Sequence, residues 1–222
     1  GEFLSAIENG PLAQDVGYWV LDAALRQQAS WVTHQPDHRM SVNVSPRQLG
    51  HGTLPGQIDE LLTKYGLDPR LILLEITEDV FVDARSSAGP ELAAIRRMGL
   101  RLAVDDFGTG YSSMTYLHQL TVDTLKIDRV FVAGMIDDRL DRTIVELLLR
   151  LGDSLGLKVV AEGVETEAQR DQLVALGCDE LQGYLFAKPM PASALELWAM
   201  HDEGPVPMSF RDSLFADTEP AP

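Results

Sequence analysis

The sequence predicts an α/β domain built from parallel βαβ units. Three observations carry that prediction. Short β-rich runs alternate with segments of helical periodicity through the middle of the chain. The runs are mostly apolar, as strands covered on both faces must be. Each run closes on a polar residue, the pattern left by strands whose C-terminal ends build a site. On these grounds an open doubly wound sheet and a closed β/α barrel both fit.

Taken in order, the β-runs are MSVNVS (40–45), LILLEITE (71–78), RLAVDDFG (101–108), TLKID (124–128), KVVAEGVE (158–165) and ELQGYLF (180–186). Helical spacing fills the gaps. Residues 16–31 place Val16, Trp19, Val20, Ala23, Ala24 and Trp31 on one face. Residues 54–66 carry Ile58, Leu61, Leu62 and Tyr65 and stop at a glycine, and residues 91–99 follow the same plan. Residues 139–156 are expected to bury Leu140, Ile144, Leu147, Leu148, Leu151 and Leu155. Segments 166–177 and 191–201 complete the series. The stretch 202–222 is acidic and proline-rich without a sustained period, so it is expected to be disordered.

Composition narrows the function. The 222 residues are 45% hydrophobic, enough for a sizeable core, and carry a net charge of −16. That charge argues against a DNA- or RNA-binding face. An acidic protein handling a phosphorylated ligand needs cations to offset the repulsion. Cys178 is the only cysteine, which excludes an intrachain disulfide and fits a reducing, cytoplasmic compartment. No apolar run reaches the ~18 residues of a membrane span, and no signal-peptide pattern is present. The chain opens at Gly1 without an initiator methionine, so it is expected to be part of a longer protein, whose own membrane anchoring stays open.

The polar residues at the run ends are Asn43, Glu75 with Glu78, Asp105 with Asp106, Lys126 with Asp128, Glu162 with Glu165, and Gln182. Gathered on one rim they form an oxygen-rich set suited to Mg²⁺, Mn²⁺ or Ca²⁺. No histidine or cysteine lies at a strand end, which argues against structural zinc. The adjacent carboxylates of Asp105 and Asp106 repel each other unless a cation, a proton or water lies between them. Neighbouring residues on a strand point to opposite faces, so both can serve one site only where the strand is ending. Two cations roughly 3.5–4 Å apart would separate their charges.

The strings VNVS, EITE, DDFGTGYSS, LKIDR, VVAEGVET and QGYLFAKPM, in this order, resemble the EAL-domain family of bacterial cyclic di-GMP phosphodiesterases, with similarity over residues 2–200. The resemblance implies a TIM-like β/α barrel with one antiparallel strand and a frequent homodimer. It also implies two divalent cations, Mg²⁺ or Mn²⁺ with Ca²⁺ inhibitory, and hydrolysis of cyclic di-GMP to linear pGpG. By matching position, Asn43, Glu75, Asp105 and Glu162 correspond to metal ligands, and Asp106 and Asp128 serve the second metal. Lys126 corresponds to the lysine beside the attacking water, and Gln182 to the family's site glutamine. Glu78 and Glu165 correspond to glutamates that hold the DFGTGYSS loop.

One departure matters. The Glu-Ala-Leu string that names the family would lie upstream of GEFLSAIENG and is not in this sequence. With it go a metal-ligating glutamate, a phosphate-binding arginine and the first two strands of the family's eight. Residues 1–201 are therefore expected to form an EAL domain lacking those strands, joined in the parent protein to an upstream sensor or cyclase domain. Lys126 as a Schiff-base lysine is disfavoured, because acidic neighbours raise rather than lower its pKa. The alternative to a phosphodiesterase is a non-catalytic cyclic di-GMP receptor on the same fold.

Overall fold

A computed structural model describes residues 12–78, 80, 88–108 and 122–200. The expected tail at 202–222 lies outside them. The chain divides into two compact units, Gly1–Thr124 and Leu125–Pro222.

In the first unit, β1 (Met40–Asn43), β2 (Ile72–Thr77) and β3 (Arg101–Phe107) run parallel, with β2 in the middle. Helices α1 (Ala13–Trp31), α2 (Leu54–Tyr65) and α3 (Gly89–Arg97) accompany them. Helix α2 follows its sequence closely. Proline occupies its first turn, Ile58, Leu61 and Leu62 are buried, and Gly66 ends it at φ 64°. Tyr65 is only half-buried; its hydroxyl donates to Asp22 Oδ1 on α1 at 2.9 Å, beside Lys64 Nζ at 2.7 Å.

Helix α1 buries a different face from the expected one. Leu21, Leu25 and Gln28 are buried, whereas Trp19 is 67% exposed and Val20 is exposed too. The helix is apolar on more than one side, and its contacts with α2 and β1 select the row at 21, 25 and 28. Gln28 is satisfied there: its Nε2 donates to His38 O at 2.5 Å, and its Oε1 lies 2.8 Å from His38 Nδ1.

In the second unit β4 (Thr124–Ile127, which begins at the division), β5 (Lys158–Ala161) and β6 (Glu180–Leu181) are neighbours in that order, with β5 and β6 parallel. Four helices accompany them: α4 (Arg129–Gly134), α5 (Arg139–Leu155), α6 (Glu167–Ala175) and α7 (Ala192–Met200). Helix α4 has no counterpart in the sequence reading; Asp128 starts it by accepting the Val130 N–H at 2.6 Å. Strands β5 and β6 are shorter than the β-runs suggest. Backbone at Gly163 turns to φ 69°, so Glu162 and Gln182 stand just beyond the strands rather than within them.

Helix α5 also departs from expectation. Its buried residues are Val145, Leu148, Leu149 and Gly152, while Leu140, Leu147 and Leu155 are 66%, 55% and 42% exposed. Periodicity picks out the widest leucine row, but close packing picks out the row carrying a glycine. A Cβ at Gly152 would lie 2.1 Å from Val159 Cγ2, so this is the face that can approach β5. The Cys178 thiol donates to Glu180 O at 3.2 Å, and burial pushes it up to about 12, far from thiolate chemistry. No helix among the described residues is long and apolar enough to cross a membrane.

Burial holds the half-buried His38 imidazole below its ordinary range. Its folded pKa is therefore lower than its unfolded one, and below the unfolded value near 6.5 the unfolded chain binds more protons. Stability from this group is complete above that pH and is lost as pH falls toward the folded value. Urea unfolding should show a lower free energy at pH 5 than at pH 7.5, and His38→Gln should reduce that difference.

Candidate active site

In the first unit the strand register fixes the acids. Asn43 on β1 is the register partner of Glu75 on β2, and Thr77 is the partner of Asp105 on β3. Register partners in a parallel sheet share a face, and residues two apart along a strand share one as well. Asn43, Glu75 and Asp105 therefore belong to the same face, with Asp105 one pleat further along. Glu75 is 8% exposed, in a strand that is otherwise leucine, isoleucine and threonine.

Past Asp105, over the last residues of β3, the backbone kinks before it turns at Gly108. Asp106 takes φ 53°, where among non-glycine residues aspartate and asparagine are enriched, and its N–H donates to Asp105 Oδ1 at 3.1 Å. Gly108 follows at φ 100°, and its N–H donates to Glu78 Oε2 at 3.1 Å. The buried Glu78 thus grips the backbone at the head of the glycine-rich segment. The remainder of that segment, 109–121, lies outside the described residues. The set Asn43, Glu75, Asp105 and Asp106 is made of oxygen donors alone, which fits a hard divalent cation and not zinc.

In the second unit, Lys126 and Glu162 form the central contact. Lys126 is 4% exposed, and its Nζ lies 2.6 Å from Glu162 Oε1. The Glu162 N–H donates to Ile127 O at 3.1 Å, so the backbone carries the carboxylate to the lysine. Asp128 spends one oxygen on the α4 cap. Glu165 is exposed, and its N–H donates to Gln169 Oε1 at 2.8 Å, next to the Thr166–Gln169 capping box of α6. Gln182 is exposed and is anchored to β5 through its backbone, donating to Ala161 O at 2.8 Å.

Sequence reasoning passed over the residues that follow Glu162 and Gln182. Both are glycines packed without clearance: a Cβ at Gly163 would lie 2.4 Å from Arg129 Cβ, and one at Gly183 2.1 Å from Val164 O. The Glu-Gly and Gln-Gly pairs were the available signal.

An α/β scaffold that sets acids, an amide and one buried lysine at its strand ends carries the oxygen donors that a hard divalent cation takes. The EAL domain family model matches residues 1–189, so the chain belongs to the EAL domain family. Among curated proteins it is 41% identical to the bifunctional diguanylate cyclase/cyclic di-GMP phosphodiesterase MucR of Pseudomonas aeruginosa, over 88% of this chain and 29% of that protein. The chain spans less than a third of the length of these curated relatives. Among solved structures, the MucR phosphodiesterase in complex with cyclic di-GMP has a TM-score of 0.81 at 42% identity, covering 88% of this chain and 79% of that one. The Klebsiella pneumoniae BlrP1 manganese/cyclic di-GMP complex has a TM-score of 0.76 at 30% identity, covering 85% of this chain and 47% of that one. These likenesses show the α/β barrel fold of the EAL type expected from the sequence.

Removing one member of the Lys126–Glu162 pair leaves the other in a poorly solvated place. Glu162→Gln should lower the unfolding free energy by about 3 kcal/mol. Adding Lys126→Met should recover most of that loss in urea unfolding, because the buried ammonium that Glu162 balanced is then gone.

Proposed function

We propose that the protein is a metal-dependent phosphodiesterase that hydrolyses cyclic di-GMP to linear pGpG. The observation that carries this reading is the row Asn43, Glu75 and Asp105 on one face of a parallel sheet, in a chain of the EAL domain family. Support also comes from the relatives' own descriptions, which include a cyclic di-GMP phosphodiesterase and a manganese/cyclic di-GMP complex.

In this reading Asn43, Glu75 and Asp105 in the first unit and Glu162 in the second would each serve as ligands of divalent cations, Mg²⁺ or Mn²⁺. Asp106, and Asp128 through the carboxylate oxygen that does not cap α4, would be further cation ligands of their units. When bound, the cations neutralise phosphate charge and bring the pKa of a water toward ~7. Lys126 places its ammonium against the negative charge that develops at phosphorus. Asp128 orients the attacking water, and Gln182 offers its amide to the nucleotide. Glu78 holds the backbone N–H of Gly108, keeping Asp105 and Asp106 in place, and Glu165 has a similar steadying role toward the glycine-rich segment. Water adds to phosphorus, the bond to one ribose oxygen breaks, and that oxygen leaves with a proton.

A homodimer belongs to the same reading. The exposed row Leu140, Leu147 and Leu155 on α5 gives a second copy an apolar helical face.

Chromatography of cyclic di-GMP incubated with the purified protein and Mn²⁺ should yield pGpG, and chelation should stop it. Asp105→Asn and Lys126→Ala should each abolish turnover; binding without hydrolysis in the unaltered protein would mark it as a receptor instead. Light scattering coupled to size exclusion should give a dimer, and Leu147→Glu should shift it to a monomer.

A further inference from the structure

Beyond the last register pair, Ala161 with Leu181, β5 and β6 stay bonded. Val164 donates its N–H to Gln182 O at 3.0 Å, and its carbonyl accepts the Leu185 N–H at 2.9 Å. The Val164 peptide is thus gripped on both sides by the chain around Gly183. A Cβ at Gly183 would fall 2.1 Å from Val164 O, 2.3 Å from its N and 2.7 Å from its C. These atoms are backbone and cannot swing aside. Directly after Glu162, a Cβ at Gly163 would fall 2.4 Å from Arg129 Cβ and 3.2 Å from Arg129 Cα, at a backbone φ of +69°. Arg129 is three residues after Lys126 and Gly163 directly follows Glu162, so this approach joins the two segments that carry the Lys126–Glu162 contact of 2.6 Å.

We infer that Gly163 and Gly183 are positioning residues for the site: by having no side chain they let the ends of β4, β5 and β6 close up, and this sets the Glu162 carboxylate on Lys126 and toward its cation. This rests on the function proposed above. A side chain at either position would push the backbone beside Glu162 outward, and the carboxylate would move with it. A purely structural glycine would behave differently, since its replacement lowers stability but leaves the folded molecule's hold on cations unchanged.

The test compares Gly183→Ala with Gly156→Ala, the C-cap of α5, where φ is +66° and nothing lies within 4 Å of the added Cβ. Mn²⁺ affinity is read by electron paramagnetic resonance of the free ion, alongside urea stability and kcat and KM for cyclic di-GMP. Gly183→Ala should weaken Mn²⁺ binding and lower kcat by roughly 10–100-fold, with a smaller effect on KM. Gly156→Ala should lose stability alone. Should Gly183→Ala fail to fold, Gly163→Ala gives the same reading, and adding Arg129→Gly should restore Mn²⁺ affinity by removing the atom it meets. Unchanged Mn²⁺ affinity and kcat in a folded Gly183→Ala, equal losses in both alanine variants, or no restoration by Arg129→Gly would overturn the inference. An unaltered protein that neither binds Mn²⁺ nor hydrolyses cyclic di-GMP would overturn the functional reading and this inference with it.

Discussion

Side-chain alternation along a parallel strand is the constraint on which the site depends. Two residues along a strand restore the face, and one residue reverses it. The register that pairs Asn43 with Glu75 and Thr77 with Asp105 therefore does more than join three strands. It decides that an amide and two carboxylates share a face, while Leu74, Ile76 and Val104 go to the core side. A slip of one residue would exchange the two faces and carry the acids to the side of Leu74, Ile76 and Val104. The acidic pair at 105 and 106 breaks the alternation at the point where it ceases to apply. Asp106 adopts a left-handed backbone, and the chain turns away from the sheet at Gly108.

The Lys126–Glu162 contact is the corresponding feature of the second unit. An ion pair at this depth is a poor source of stability, because desolvating both charges offsets most of their attraction. An apolar pair of the same size would serve the fold as well. In the function proposed above, its presence among Leu125, Ile127, Val160 and Ala161 serves chemistry: a buried ammonium set beside a carboxylate would meet the negative charge that develops at phosphorus. The same economy marks Asp128, which starts helix α4 with one oxygen while standing two residues from the lysine.

Helix faces followed a different logic from strand ends. In α5, leucines at 140, 147 and 155 form the more regular row, yet the buried row is Val145, Leu148, Leu149 and Gly152. Hydropathy cannot separate two apolar rows on one helix, because both gain from leaving water. The choice falls to the row whose small residue admits the neighbouring strand. Helix α1 repeats the point: Trp19, which dominates the predicted face, stays exposed, while the polar Gln28 is buried because His38 satisfies it.

The sequence by itself determined the order and type of the elements. All six β-runs became strands, and the polar residues at their ends were legible because the apolar runs stop there. It also determined family membership, since six motif strings leave little freedom. Tertiary structure decided which helix faces are buried, where β5 and β6 stop, the helix that Asp128 caps, and the tight seams at Gly163 and Gly183. The physical reason is range. Strand and helix signals are set by neighbours a few residues away, whereas burial and close approach depend on atoms such as Val159 Cγ2 and Val164 O that reach their partners only when the chain has folded.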